Sequence, residues 1–160
     1  MDLSVTVTKA RKSDLPAVRR AFLEVLRSIP YYNEWAKTDE RAKYTLKNLQ
    51  EKLRKDADSI LVARDRSSIA GFSFTTWDDG LVWINWFGVS PSHRGRGTGS
   101  LLLDATVSLA RERRAIKVWC DSRTENLESI QCLRKSGFRR LARLDLHWYG
   151  QDFFLWEKRL

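Results

Sequence analysis

Residues 81–89, Leu-Val-Trp-Ile-Asn-Trp-Phe-Gly-Val, form an almost wholly apolar run that leads directly into a glycine-rich loop. The run predicts a strand buried on both faces. The loop, Ser90 to Ser100, carries alternate glycines at Gly95, Gly97 and Gly99. Behind it, residues 98–113 predict a helix with Leu101, Leu102, Ala105 and Leu109 turned inward. A strand, a glycine loop and a helix in that order commit the chain to an α/β layered fold. The loop also proposes a ligand. Glycines reach positive φ and let the backbone approach a bound group. The helix start offers free N–H groups and partial positive charge, to which Arg94 and Arg96 add formal charge, so the ligand expected is a phosphate or pyrophosphate.

Two other phosphate motifs fit less well. A P-loop requires a lysine that the loop lacks. A dinucleotide fingerprint requires G-x-G-x-x-G, and Ser100 stands in its last slot. Asp121 ends the next strand roughly where a ribose-binding acid would sit, but only about 60 residues follow the loop, and they close in a hairpin. That alternative and a plain structural turn stay open behind the main reading.

The remaining elements follow from periodicity. Val5 and Val7 predict a short strand. Ser13 is the expected N-cap of a helix carrying Leu15, Val18, Phe22, Val25 and Ile29 on one face, stopped by Pro30. A second helix is expected from about Asp39, with Ala42, Leu46, Leu49 and Leu53 on one face. Strands are expected over 59–65, 69–77, 116–121, 138–147 and 152–159, and a helix over 125–136 with Leu127, Ile130 and Leu133 inward. The sum is a single domain over residues 1–160: a mixed α/β fold whose central twisted sheet of about seven strands is flanked by about four helices.

Composition narrows the class. An apolar content of 42% and a charged content of 31% are those of a soluble globular protein. No apolar run nears the ~20 residues of a membrane span, and the opening stretch, acidic at Asp2, does not resemble a secretory signal. Cys120 and Cys132 have no metal-ligand spacing and are expected as reduced thiols in a cytoplasmic protein, with no metal. The formal net charge of +9 would suit a nucleic acid or a polyanionic small molecule. The basic residues are scattered, so a nucleic-acid partner has only the net charge in its favour.

With the loop in view, the chain resembles the GNAT superfamily of N-acetyltransferases. Arg94-Gly95-Arg96-Gly97-Thr98-Gly99 matches that family's Arg/Gln-x-x-Gly-x-Gly/Ala loop, and Phe87-Gly88-Val89 looks like its preceding strand end. Downstream, Asn126, Ser129, Leu133, Gly137 and Phe138 occupy the positions of Asn-x-x-Ala-x-x-x-Tyr-x-x-x-Gly-Phe. The hairpin from His147 to Asp152 is similar to the family's last strand pair. The resemblance implies acetyl-CoA as donor. Main-chain groups of Phe87, Gly88 and Val89 would hold the pantetheine arm as a false strand. The amides of residues 94 to 99, with Ser100 nearby, would hold the pyrophosphate, and Asn126 would hydrogen-bond the arm. It also implies a homodimer, which the seven tryptophans favour, since tryptophan is enriched at interfaces.

Acetyl transfer needs a neutral amine, a polarised carbonyl and a protonated leaving thiolate. By family analogy the Val89 amide would polarise the carbonyl. The strand that often carries a glutamate base reads Trp83-Ile84-Asn85-Trp86, without a carboxylate. The slot of the thiolate-protonating tyrosine holds Leu133. Tyr149 and His147 are the candidate replacements. Tyr31, Tyr32, Glu34 and Trp35, between the first two helices, are the candidate acceptor site, because aromatic walls and a carboxylate suit a cationic amine. The resulting expectation is an N-acetyltransferase acting on a primary amine of a small molecule, amino acid or protein by direct attack in a ternary complex. The alternative is a non-catalytic acyl-CoA-binding module, supported by the missing Glu and Tyr. A nucleic-acid-binding protein stands behind both.

Overall fold

The computed structural model describes residues 4–160; Asp2 lies outside the described residues. A seven-stranded sheet runs through it. Its strands are β1 (Val5–Lys9), β2 (Ile60–Asp65), β3 (Ser68–Asp78), β4 (Leu81–Val89), β5 (Lys117–Arg123), β6 (Arg139–Leu144) and β7 (Phe153–Arg159), in the order β1-β2-β3-β4-β5-β7-β6. Every pairing is antiparallel except β4 with β5. That parallel pair needs a crossover, which α4 (Thr98–Glu112) supplies.

Alternation along the strands divides the core. Ile60 and Val62 face one side with Phe72 and Phe74, under α1 (Leu15–Ser28) and α3 (Leu46–Lys55). Leu61 and Ala63 face the other, under α4. The second half of that face packs Val82, Ile84, Val118 and Trp156 against α4 and α5 (Leu127–Lys135). Helix α1 buries Leu15, Val18, Ala21, Phe22, Val25 and Leu26. The larger of these contribute roughly 1.5–3 kcal/mol each.

The helices differ from the sequence expectation in four places. Asp14, not Ser13, caps α1; Ser13 belongs to a 3-10 turn over Lys12–Asp14, and the Asp14 carboxylate accepts the Arg11 N–H at 2.7 Å and the Arg64 guanidinium. The helix expected from Asp39 is two, α2 (Glu34–Lys43) and α3, so five helices flank the sheet instead of about four. Thr45 makes the break. Its hydroxyl accepts the Asn48 N–H at 3.2 Å and starts a new helix, while Tyr44 turns its ring onto Phe22 and Phe74. Helix α2 begins earlier than expected because Asn33 caps it through the Ala36 N–H at 2.9 Å. Finally, Leu127 is 67% exposed rather than inward, since the cap at Asn126 puts it in the first turn, facing out.

Strand β4 is not buried on both faces either. Val82, Ile84 and Gly88 are buried and their neighbours only half-buried, including Leu81 and Trp83 where β4 is paired on both sides. The terminal hairpin is shorter than expected. Residues 145–152 leave the ladder as a loop, tied back by Asn33 Nδ2 donating to the Tyr149 carbonyl at 3.0 Å and Gln151 Nε2 donating to the Tyr31 carbonyl at 3.0 Å. Among the described residues no helix is long and apolar enough to cross a membrane.

Candidate functional site

The parallel pairing of β4 and β5 ends at Ile84 opposite Cys120. Past that point β4 stays with β3, and β5 stays with β7. A bulge opposite Phe74 and Thr75 leaves Asn85 without a partner and bends β4 at this point. The inner edges of 85–89 and 121–123 are therefore unpaired and splay around a cavity of about 660 Å³.

The phase of the ladder decides which groups face the gap. The Ser90 N–H donates to the Ala70 carbonyl at 2.9 Å. Backbone groups alternate in an antiparallel pair, so Gly88 and Trp86 also point to β3, while Phe87 and Val89 point into the cavity. Gly88 has a separate reason to be glycine: a Cβ there would lie 2.7 Å from Phe72 and 3.2 Å from Val25.

The loop after β4 is strapped down before it turns. Arg94 Nε donates to the Val89 carbonyl at 3.0 Å, and Arg94 Nη2 to Ser28 Oγ at 2.7 Å. His93 Nε2 lies 3.1 Å from Asp65. Arg94 is thus a brace as well as a cavity-lining charge. Gly95 (φ +75°) and Gly97 (φ +84°) take the left-handed conformation, and a Cβ at either would meet nothing within 4 Å. The backbone shape, not space, calls for glycine there. Helix α4 then starts without a side-chain cap, and its first internal bond is Leu101 N–H to the Gly97 carbonyl at 3.1 Å. The amides of Thr98, Gly99 and Ser100 are left at an open helix N-terminus. Thr98 Oγ1 is buried with no hydrogen-bond partner.

From the α5 side, Asn126 lines the cavity while capping its own helix. Its Oδ1 accepts the Ser129 N–H at 3.1 Å and its Nδ2 donates to Ser129 Oγ at 2.8 Å. Leu133 is fully buried in the core.

The structure brings most of the expected residues together. Phe87, Gly88, Val89, Arg94, Gly95 and Gly97 line the cavity, as do Thr98, Gly99, Ser100 and Asn126. Arg96 is exposed and outside the lining. The acceptor group divides. Tyr31 and Tyr32 line the cavity, and burial holds the Tyr31 hydroxyl up to about 12 and raises Tyr32 well above the ordinary range. Glu34 and Trp35 lie outside it on α2, Trp35 being 64% exposed with its ring edge-on to Tyr149 at 5.6 Å.

Tyr149 and His147 also lie outside the lining. The Tyr149 hydroxyl donates to Glu40, lies 3.1 Å from Asp39, and accepts from Lys43 Nζ at 2.8 Å. Burial and those carboxylates push its ionisation far up. It ties the 145–152 loop to α2. His147 packs on Trp148, ring centroids 4.5 Å apart.

Sequence reading weighed Asp121 only as a ribose-binding acid and gave Trp86, beside the expected site, no role in it. Asp121 lines the cavity, and Trp148 Nε1 donates to its Oδ2 at 2.8 Å. The signal was present: Asp121 is the one carboxylate in β5, directly after Cys120. Trp86 lines the cavity and donates its indole N–H to Glu40 at 2.9 Å. Among the described residues there is no group of three or more His, Cys, Asp or Glu able to hold a metal.

Comparison with known proteins agrees with this architecture. The family model for the Acetyltransferase (GNAT) family matches residues 20–138. A streptothricin acetyltransferase of Streptomyces lavendulae is 36% identical over 89 residues, 52% of this chain and 46% of that protein. A mycothiol acetyltransferase of Clavibacter sepedonicus is 34% identical over 88 residues, 54% of this chain and 29% of that protein. Both alignments therefore span less than half of the curated relatives. Among solved structures, the PaiA N-acetyltransferase of Thermoplasma acidophilum in complex with coenzyme A superposes with a TM-score of 0.84 at 18% identity, covering 99% of this chain and 100% of that one.

Proposed function

The chain belongs to the GNAT acetyltransferase family, and on that premise we propose that it is an N-acetyltransferase that moves the acetyl group of acetyl-CoA to a primary amine by direct attack in a ternary complex. One observation carries the reading. The unpaired inner edge of β4 and the uncapped N-terminus of α4 face the same cavity.

The residues present fit this donor. An extended amide-bearing arm suits the free edge at Phe87 and Val89. A pyrophosphate suits the amides of Thr98 to Ser100, and the orphaned Thr98 Oγ1 marks the same spot as short of a partner. Asn126 would hold the arm from the α5 side. Acetyl-CoA supplies an acetyl group already activated as a thioester. The Val89 N–H, fixed by the ladder, would donate to the carbonyl oxygen as charge builds there. Tyr32, kept protonated by burial, would offer a proton-bearing hydroxyl at the acceptor end. Holding amine and thioester together in one cleft supplies much of the acceleration.

The acceptor is a primary amine of a small molecule, an amino acid or a protein. Free Cys120 and Cys132 support a cytoplasmic location. Exposed Trp35 and Leu146 support a homodimer, for which mass by light scattering is the measurement.

The deciding experiment is calorimetric titration of acetyl-CoA into the folded wild type and a folded Gly97→Trp variant. Micromolar binding that is lost in the variant upholds the proposal. An absence of binding to the wild type removes it.

A further inference from the structure

The proposed reaction lacks a proton acceptor, because β4 offers no carboxylate and Tyr149 and His147 lie outside the cavity. The neighbouring strand supplies one. Asp121 is the first residue of β5 beyond the last parallel pair with β4, at the apex of the splay. It lines the cavity together with Tyr32 and Trp86. Its Oδ2 takes one hydrogen bond, from Trp148 Nε1 at 2.8 Å, and among the described residues no hydrogen bond reaches Oδ1 and no cation pairs with the group. We propose that Asp121 accepts the ammonium proton of the acceptor amine, with Trp148 as its positioning residue, an assignment that rests on the acetyltransferase reading above.

The other carboxylates near the cavity are engaged or exposed, and Glu128, which lines it from the first turn of α5, is exposed. Glu40 accepts from Trp86 and Tyr149 and pairs with Lys43. Asp39 receives Tyr149 and Lys43. Glu125 lines the cavity but is largely exposed and faces Arg123 at 3.8 Å. Asp121 alone is both enclosed and open on one oxygen. Tyr32, Trp86 and Trp148 add aromatic surface around it, which attracts a cation before the proton is given up.

The charge environment favours this role. Glu40 faces Asp121 from α2 and repels its charge, while Tyr32 and Tyr44 face it as neutral hydroxyls and Cys120 precedes it on the strand. Arg123, two residues along β5, is drawn to the Tyr31 and Phe153 rings and Glu125 instead. His147 packs behind Trp148. Burial and Glu40 hold the Asp121 carboxyl up to about 6, against the pull of the Trp148 bond. At neutral pH it is therefore ionised yet more basic than an ordinary aspartate, as a base must be. Asp121 takes one proton from R–NH3+ and passes it to solvent. The freed nitrogen lone pair closes the new N–C bond to the thioester carbonyl carbon as the C–S bond breaks with its electron pair on sulfur. The second proton lost from nitrogen ends on that sulfur, giving the amide and the free thiol.

Two readouts test this. The indole N–H resonance of Trp148, assigned with Trp148→Phe, is followed over about pH 4.5 to 8. It should titrate with a midpoint near 6 and stay flat in Asp121→Asn; a flat wild-type signal overturns the proposal. In parallel, acetyl-CoA binding by calorimetry and CoA thiol release with spermidine, 2-phenylethylamine and an alanine-headed peptide are compared. Asp121→Asn should keep wild-type acetyl-CoA affinity and lose at least ~100-fold in turnover, with partial recovery in Asp121→Glu. Trp148→Phe should move the acidic limb of kcat/KM upward. Turnover in Asp121→Asn within threefold of wild type overturns the assignment while leaving the transferase reading intact. A wild type that binds no acetyl-CoA, or releases no thiol with any of these amines, overturns both.

Discussion

The two sides of the cleft are built from different materials. The side formed by β4, the glycine loop and the start of α4 presents backbone: the edges of Phe87 and Val89 and the amides of Thr98 to Ser100, set by ladder phase and by left-handed Gly95 and Gly97. The side formed by Tyr32, Trp86 and Asp121, held by Glu40 and Trp148 from outside the lining, presents side chains. These come from the α1–α2 link, α2, β4, β5 and the 145–152 loop, joined by Trp86–Glu40, Trp148–Asp121 and Tyr149–Glu40 hydrogen bonds. A backbone site fixes ligand shape and tolerates change in side chains. A side-chain site decides chemistry and depends on five segments staying in register. Donor recognition and acceptor chemistry should therefore respond to different substitutions.

The largest separation is expected from Gly97→Trp. Its new side chain projects into the open space of the loop, and acetyl-CoA affinity should fall by ~100-fold, about 2.7 kcal/mol. The indole titration of Trp148 should be unchanged. If both fail together, the two sides are one unit and the comparison breaks.

Asp121→Asn should show the reverse pattern and raise stability at neutral pH. The folded carboxyl holds its proton up to about 6, and an unfolded aspartate to about 3.9. The native state therefore binds more protons between those values, and the wild type loses stability as pH rises through that window. The penalty is complete above about pH 6 and absent below about 4, so urea denaturation should find the variant about 1–3 kcal/mol more stable at pH 7 and equal to wild type near pH 4. A destabilised variant at pH 7 would mean that Asp121 is a structural group.

Glu40→Ala leaves the Trp86 indole and Tyr149 hydroxyl without their shared partner. It should cost about 1–3 kcal/mol and disturb the acceptor side while acetyl-CoA affinity holds within twofold. The smallest effect is expected from Asn33→Ala, which removes the α2 cap and the bond to the Tyr149 carbonyl. It should cost about 1 kcal/mol in thermal or urea unfolding and loosen the 145–152 loop, read as faster amide exchange at Tyr149 to Gln151.

Legibility followed the same division. The glycine loop, the strand before it and the helix behind it stood in the sequence because local backbone demands leave local signatures. The periods of α1 and α4 were equally plain. The break at Tyr44–Thr45 was not, since Thr45 caps a helix inside a stretch whose apolar spacing also fits one continuous helix. The Asn33 cap was a readable signal that the spacing of Ala42, Leu46 and Leu49 overshadowed. Tyr149 pointed the wrong way for a related reason: sequence shows that a tyrosine sits near a hairpin turn, but not that Asp39 and Glu40 draw its hydroxyl onto α2.

By itself the sequence determined the α/β class, a central sheet of about seven strands and the glycine-rich loop that leads into a helix start. Each rests on short-range rules: side-chain period, glycine conformation and the free amides of a helix start. Only the tertiary structure decided where β4 and β5 part, that Phe87 and Val89 rather than Gly88 face the gap, and that Asp121 meets Trp148 across 27 residues of chain. Those outcomes depend on register between distant strands and on burial, which sets the proton affinity of Asp121 and has no signature in the residues beside it.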